Sequence, residues 1–505
     1  MAHIVEPYLN PHMLSGYVVL IAAAWALAAV VGRLSRSKIG VARVGASPGP
    51  FGLRTWWARW KWYTHGHEDV VRMYEKSKNT SYVVQTMMGD AVVLAPKFLN
   101  ELSMLPESKL NSTAALVDSV MGQYTGVDLL LQDHLTSDIC RGSLTKNLPT
   151  FLPLMAEELD AVMAEKLSHC TVEAPVTCTA YDLLFSAIHS ITSLVFVGRS
   201  HYRSPTWTGA VTALPVDVEI TKFILLPFPA FLRRFLAPLI PQRNRVFRNR
   251  AAVRDLLFPP SEKLAVRDEP SVMNLFIKSG RDTDPGRITA RLLILTGAAL
   301  HTSSMAITHA IFDLCAMPEY VEALRSEAKE ALAQDGGKWQ YSTIKKLRRL
   351  DSFLKESQRV NQSSFLAFDR KVISPVELSD KTVLPRGAKI MIPGGLMARD
   401  VEFYDDPRRF DGNRFYRAEE KDDATTQQEY TGIEPGNLSW GYGRFTCPGR
   451  WYGAAMVKLI VANLLLEYDV SFPPGRTERP PNTKYDTDVH PDFEAKIVLR
   501  KRSNV

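Results

Sequence analysis

Hydrophobic and polar positions divide the chain into a few distinct patterns. Met13 to Val31 (MLSGYVVLIAAAWALAAVV) carries no charge and is long enough for a helix of roughly 30 Å, the thickness of a bilayer core. Arg33, Arg36, Lys38 and Arg43 follow it, so the positive-inside rule predicts a single span with the bulk of the chain on the cytoplasmic side. Small-residue sites among its alanines would fit a cleaved signal, but no lysine or arginine precedes the apolar run. Ala46-Ser47-Pro48-Gly49-Pro50 then predicts a stiff hinge.

Beyond the hinge the patterns are mostly helical. Arg54, Trp56, Trp57, Arg59, Trp60, Lys61, Trp62 and Tyr63 interleave rings and cations, which suits a lipid headgroup layer or a helix with a few core tryptophans. Ser81 to Leu94 predicts two strands about a Gly89-Asp90 turn. Leu129 to Val197 predicts helices. Phe223 to Ile240 is apolar, but Pro227, Pro229, Pro238, Arg233 and Arg234 forbid a span; it predicts a surface dipping into lipid or a buried loop. Pro285 to Ala316 predicts one long helix, opened by Pro285 or Gly286 and closed by Pro318. Further helices are predicted at Glu319 to Ala333, Ser342 to Val360 and Trp451 to Leu466. Short strands are predicted at Arg370 to Val372, Thr382 to Leu384, Lys389 to Ile392 and Glu494 to Leu499. The fold class is mainly α with minor β-sheets.

Composition narrows the class. The 505 residues are 46% apolar and 23% charged, the balance of a packed protein rather than a disordered or multi-span chain. A net charge of +7 is too small to imply nucleic acid, yet it leaves room for basic patches. Length alone allows roughly three domains, but no repeat or composition shift divides the chain. The five cysteines form no CxxC pair and are too scattered for a disulfide scaffold.

The densest chemistry lies at Trp440-Gly441-Tyr442-Gly443-Arg444-Phe445-Thr446-Cys447-Pro448-Gly449-Arg450. Two glycines allow a tight loop around the sulfur, and the helix that follows places Cys447 at an N-terminus whose dipole is expected to lower the thiol pKa. A lone thiolate there suits nucleophilic attack or haem ligation, and a buried structural cysteine fits the same spacing.

This loop resembles the haem-binding loop of the cytochrome P-450 monooxygenases, in the Gly-Arg-x-x-Cys-Pro-Gly-Arg form of fungal secondary-metabolism members. An aromatic (Trp440) stands seven residues before the cysteine, a glycine (Gly443) four before and another (Gly449) two after. Trp440 replaces the usual phenylalanine. Phe445 stands where many members carry a propionate-binding arginine, with Arg444 one place earlier. Glu356-Ser357-Gln358-Arg359 resembles the family's Glu-x-x-Arg; Glu322 to Arg325 has the same spacing and is expected to be a solvated helix pair. Asp411-Gly412-Asn413-Arg414-Phe415 resembles the element whose arginine completes that ion-pair network. Ala298-Ala299-Leu300-His301-Thr302-Ser303 resembles the oxygen-activation motif, with histidine in place of the usual acid.

The resemblance implies one haem-thiolate monooxygenase domain at 51–505, after a lumenal N-terminus (1–12), a transmembrane anchor (13–31) and a basic, proline-containing hinge (32–50). It implies haem b with Cys447 as the iron ligand, Thr302 and His301 in proton delivery, Arg370 and Arg141 on the propionates, and Trp440, Gly443 and Gly449 shaping the loop. It further implies O2 as oxidant and NADPH supplying electrons through a reductase, with cytochrome b5 as a second candidate donor. Arg444, Arg450 and the run Lys345, Lys346, Arg348 and Arg349 are candidates for the docking face. The substrate expected is a lipophilic terpenoid, meroterpenoid or related polycycle, and the location the endoplasmic reticulum membrane. Two other classes remain: a haem-thiolate isomerase or dehydratase that needs no external oxygen, and a haem sensor. Thr302 argues against the first.

Overall fold

A computed structural model describes residues 40–44, 53–421 and 428–503. The expected anchor and all but a few residues of the hinge lie outside them.

The Pro285–Ala316 helix forms the spine. At 1.5 Å per residue its 32 residues span about 48 Å. Its bounds coincide with the apolar pattern. Asp284 caps it by accepting from the Gly286 N–H at 2.9 Å, and Pro285 needs no partner in the first turn. Three interior threonines bond back into the helix: Thr289, Thr296 and Thr308 each donate to the carbonyl four residues back at 2.7 to 2.8 Å, whereas the buried Ser304 hydroxyl has no partner. Around this helix pack Ala180–Val197, Pro205–Leu225, Pro241–Leu257, Arg348–Val360 and Arg450–Glu467. Their apolar faces form the main core, with Leu292, Ile307, Ile311, Phe353 and Ile460 at its centre.

Ala180–Val197 and Pro285–Ala316 are long and apolar enough to cross a membrane, yet both are mostly buried within the domain as core helices. The larger sheet has six strands in the order Ala42–Arg43, Tyr82–Thr86, Gly89–Val93, Lys389–Ile392, Ala367–Val372, Leu110–Asn111. It packs its own apolar cluster around Val92, Phe98 and Ile390.

Three local expectations change. The first hairpin turns at Met87-Met88, and Gly89 already pairs with Thr86 in the ladder. The pattern at 342–360 breaks at Leu347 into Tyr341–Lys346 and Arg348–Val360, where Glu327 accepts the N–H groups of Arg349 and Leu350. Within 129–197, Val176–Thr179 is a strand because it pairs with Lys496–Lys501 from the far end of the chain.

The aromatic and basic segment forms the first turns of the Leu53–Ser77 helix. Trp57 and Trp60 are exposed, whereas Trp62 is buried and donates its indole N–H to Asp486 at 2.7 Å.

Candidate active site

Cys447 sits between a short helical turn at Gly443–Phe445 and the Arg450–Glu467 helix. Its N–H donates to the Trp440 carbonyl at 2.7 Å, which closes the loop on itself. Gly443 has φ +68°, and a Cβ there would lie 2.8 Å from Ser103 Cβ, so glycine is required on both counts. Trp440 is fixed by donating to the Tyr430 carbonyl at 2.7 Å and by an edge contact with the Tyr430 ring.

The expected low thiol pKa does not hold for the chain by itself. Burial pushes Cys447 above the ordinary value, and that desolvation exceeds the opposing pull of the Gly449 and Arg450 N–H groups and the Arg450 and Arg141 charges. The helix terminus acts in the predicted direction and loses to burial. A metal cation on the sulfur would reverse the balance.

A cavity of about 360 Å³ opens beside the sulfur. One wall is Ala298, Ala299, Thr302 and Ser303 from the long helix. The other is Trp440, Phe445 and Thr446 to Gly449, and Arg141 and His134 close one side. At Gly449 a Cβ would meet nothing within 4 Å, although the residue lines the cavity. The walls therefore leave room for a body other than the chain, and small residues let a flat one approach both backbones.

Two arginines bound this region. Arg141 lies on a π-helical turn, Ile139–Leu144, and donates to the carbonyls of Arg444 (3.1 Å) and Thr446 (3.2 Å). Arg370 does not line the cavity. It lies behind the loop, 4% exposed, donating to the Tyr442 carbonyl at 3.4 Å and stacked on Phe368 and Phe445. Burial lowers its pKa to about 10. Among the described residues no carboxylate pairs with either arginine. Arg141 keeps exposed surface, whereas Arg370 is a buried cation without a paired anion, which fits a site that receives a carboxylate from a ligand.

Thr302 faces the cavity, its hydroxyl donating to the Ala298 carbonyl at 2.8 Å. His301 does not. It turns to the next face of the helix, with Nδ1 3.4 Å from the Tyr181 hydroxyl and its ring 6.1 Å from that of His490. Burial lowers the pKa of His301, so the imidazole is neutral near pH 7. Its two nitrogens can then accept on one side and donate on the other. His490 is buried, its pKa lowered to about 4 by burial and then by His301, and its Nε2 has no partner.

Behind the loop, Glu356 receives both Arg359 (2.7 and 2.8 Å) and Arg414 (3.1 Å). The other pair of the same spacing is not the solvated pair expected: Arg325 is buried and also donates to the Leu465 carbonyl and to Asp469, both at 2.8 Å. Of the basic run, Lys346 pairs with Asp335 and Arg348 with Glu429. Arg450 stacks on Trp451 and donates to the Cys447 carbonyl at 3.2 Å. Tyr181 and His490 were not foreseen, because nothing in the local pattern at either position signals a partner so distant in sequence.

A cytochrome P-450 family model matches residues 54–492. The chain belongs to the cytochrome P-450 family. It is similar to an ent-kaurene oxidase of Gibberella intermedia, 32% identical over 454 residues that cover 89% of this chain and 86% of that protein. It is also similar to the cytochrome P-450 monooxygenase olcJ of Penicillium canescens (30% identical over 465 residues, 89% and 87% covered). A third relative is the monooxygenase AtmP of Aspergillus flavus (30% over 448 residues, 86% and 85%). This P-450 is thus an oxidoreductase of the monooxygenase type, related to fungal enzymes of secondary metabolism, and its family implies a haem-thiolate centre that uses O2.

Proposed function

We propose that this P-450 is a membrane-anchored enzyme that inserts one oxygen atom from O2 into a lipophilic terpenoid or meroterpenoid, with electrons from an NADPH-dependent reductase. The observation that carries the reading is that Cys447 and Thr302 line the same cavity.

Cys447 would hold haem iron through its sulfur; Arg141, on the cavity wall, would meet a propionate, and Arg370 would add its positive charge from behind the loop. Bound haem supplies the activation of O2. The protein's own contributions are orientation and protons. Thr302 presents a hydroxyl oxygen whose proton is engaged by Ala298, leaving its lone pairs for a water in the cavity. His301, neutral and one face behind, would pass a proton toward that water from the Tyr181 side. Ala298, Ala299, Leu295 and Ile294 keep the wall apolar, which suits a hydrocarbon skeleton.

The surface supports membrane attachment. Trp57 and Trp60 on the first helix and Phe231, Phe235 and Leu239 after the Pro205–Leu225 helix are exposed, and Tyr63 meets Phe223 edge-on between the two groups. Lys61 and Arg234 lie over Trp57 and Phe235, cations where lipid headgroups would be. An anchor at 13–31 would hold this face on the cytoplasmic side of the endoplasmic reticulum membrane. Arg444 and Arg450, beside the cysteine loop, are the basic positions offered to a reductase. Co-expression with a reductase and mass spectrometry of the metabolites tests the reading. A terpenoid gaining one oxygen in an NADPH-dependent manner is expected, and conversion without reductant or O2 would overturn it.

A further inference from the structure

A larger cavity than the one beside Cys447 lies elsewhere. A cleft of about 1140 Å³ lies between the second half of the Leu53–Ser77 helix, the segment 395–408 and the Thr483–Tyr485 strand. Neither Cys447 nor Thr302 lines it.

Its distinguishing feature is charge. Arg399, Arg408 and Lys484 all line the cleft and all keep exposed surface. Among the described residues none of the three pairs with a carboxylate. Arg399 donates only to the Val360 carbonyl, at 2.9 Å. Lys484 contacts only an imidazole, its Nζ 3.3 Å from Nε2 of His67. The acids on the same walls do not relieve them. Asp400 is taken by Tyr74 (2.7 Å) and Lys78 (3.1 Å), and Glu75 and Asp406 form no ion pair with these cations.

The cations feel one another. Burial lowers Arg399, and the charges of Arg359, Arg479 and Arg408 lower it further. Burial and then Arg399 lower Lys484. His67 is lowered to about 4 by burial, then by Lys484 and Arg399, so it stays neutral and accepts from the ammonium. Converging like charges at the wall of a roomy cleft cost free energy unless an anion joins them. Facing them is an apolar wall of Val71, Phe365, Leu396 and Val489.

We propose that this cleft binds an amphiphilic organic phosphate, its phosphate held between Arg399 and Lys484 with Arg408 adjacent and its apolar body on Val71, Phe365 and Leu396. A guanidinium and an ammonium together suit a phosphate, the first through its fork and the second as a mobile point charge. A membrane phospholipid headgroup and a soluble organic phosphate share this chemistry.

The test uses the full-length holoenzyme and two probes. Calorimetric titration with octyl phosphate reads the soluble source. The gain in flotation when phosphatidic acid is added to phosphatidylcholine vesicles reads the headgroup, because an anchor would contribute equally to both. In at least one arm, binding is expected to saturate, to weaken with salt, and to fall about tenfold or more in Lys484→Gln and again in Arg399→Gln, the size of one charge-assisted contact each. Lys484→Gln loses only the contact with His67 from a side chain that keeps exposed surface, so it keeps the test sound if Arg399→Gln, which loses a bond to Val360, proves unstable. A response confined to octyl phosphate assigns a soluble ligand, and one confined to phosphatidic acid assigns the headgroup. Equal binding by wild type and Lys484→Gln, or no saturable binding of either probe, overturns the site.

Discussion

Arg359 holds Glu356 with two parallel hydrogen bonds, Nε to Oε2 at 2.7 Å and Nη2 to Oε1 at 2.8 Å, and neither side chain reaches solvent. The carboxylate also accepts the Asp411 N–H at 2.8 Å and Arg414 Nε at 3.1 Å, and Arg359 donates onward to the Ala398 and Pro407 carbonyls. One buried acid thus ties the Arg348–Val360 helix to two loops. Glu356→Gln would leave Arg359 charged, buried and without an anion. A loss of about 3–5 kcal/mol is expected, because removing one partner of a buried pair strands the other. Denaturant unfolding of the purified variant would show it; a midpoint equal to wild type would mean the pair is dispensable.

Two glycines of the cysteine loop should behave oppositely. Gly443→Ala forces a side chain onto a backbone at φ +68° and into Ser103, 2.8 Å from its Cβ and 2.9 Å from its carbonyl oxygen. The expected cost is about 2 kcal/mol, with or without haem. At Gly449 the backbone is unstrained and nothing lies within 4 Å of a Cβ. Gly449→Ala should change the haem-free protein by less than about 1 kcal/mol while lowering its haem content. Absorbance per protein and thermal melts of both forms separate the two cases.

How much of this was legible follows from where the information sits. The long helix was readable to its ends, because Pro285, an apolar run and Pro318 are local signals. The cysteine loop was readable because its glycines and flanking helix are contiguous. The first hairpin's turn was misplaced by two residues: Gly89-Asp90 looks like a turn, but both residues pair with Thr86 and Gln85, and Ala91 to Val93 also pair with Lys389–Ile392, so Gly89 to Val93 belongs to the sheet. The Cys447 pKa was misjudged because burial is a property of the assembled walls, not of the motif. Tyr181, His490 and the Arg399–Lys484 cleft carry no local pattern at all; long-range packing alone brings them together.

Acid stability should depend on His490. Its folded pKa is about 4 against 6.5 for the free side chain, so between those values the unfolded chain binds more protons. Its contribution is complete above pH 6.5 and is lost as pH falls toward 4. A buried imidazole with that shift is worth a few kcal/mol by linkage, roughly. Asp488, raised to about 6 by burial and then by Asp486, gives an opposite slope over part of the same range. The comparison that isolates the histidine is therefore wild type against His490→Phe. Urea midpoints of wild type should drop more steeply from pH 6.5 to pH 4 than those of the variant; parallel curves would exclude His490 as the acid-labile group.

Thr302 offers the sharpest separation of structure from chemistry. Its hydroxyl bonds only the Ala298 carbonyl, a bond within its own helix turn. Thr302→Ala removes that bond and installs a better helix former, so thermal stability should be unchanged or slightly raised. The proposed proton route from the Tyr181 side through His301 would lose its last hydroxyl before the cavity. Product formed per NADPH consumed should then fall while hydrogen peroxide accumulates, with a rate loss of about 10²-fold or more, the scale of a positioned proton donor. Thr302→Ser keeps the oxygen and should recover most of the coupling. A fully coupled Thr302→Ala enzyme of wild-type stability would remove Thr302 from the proton route and leave its place on the cavity wall a matter of packing.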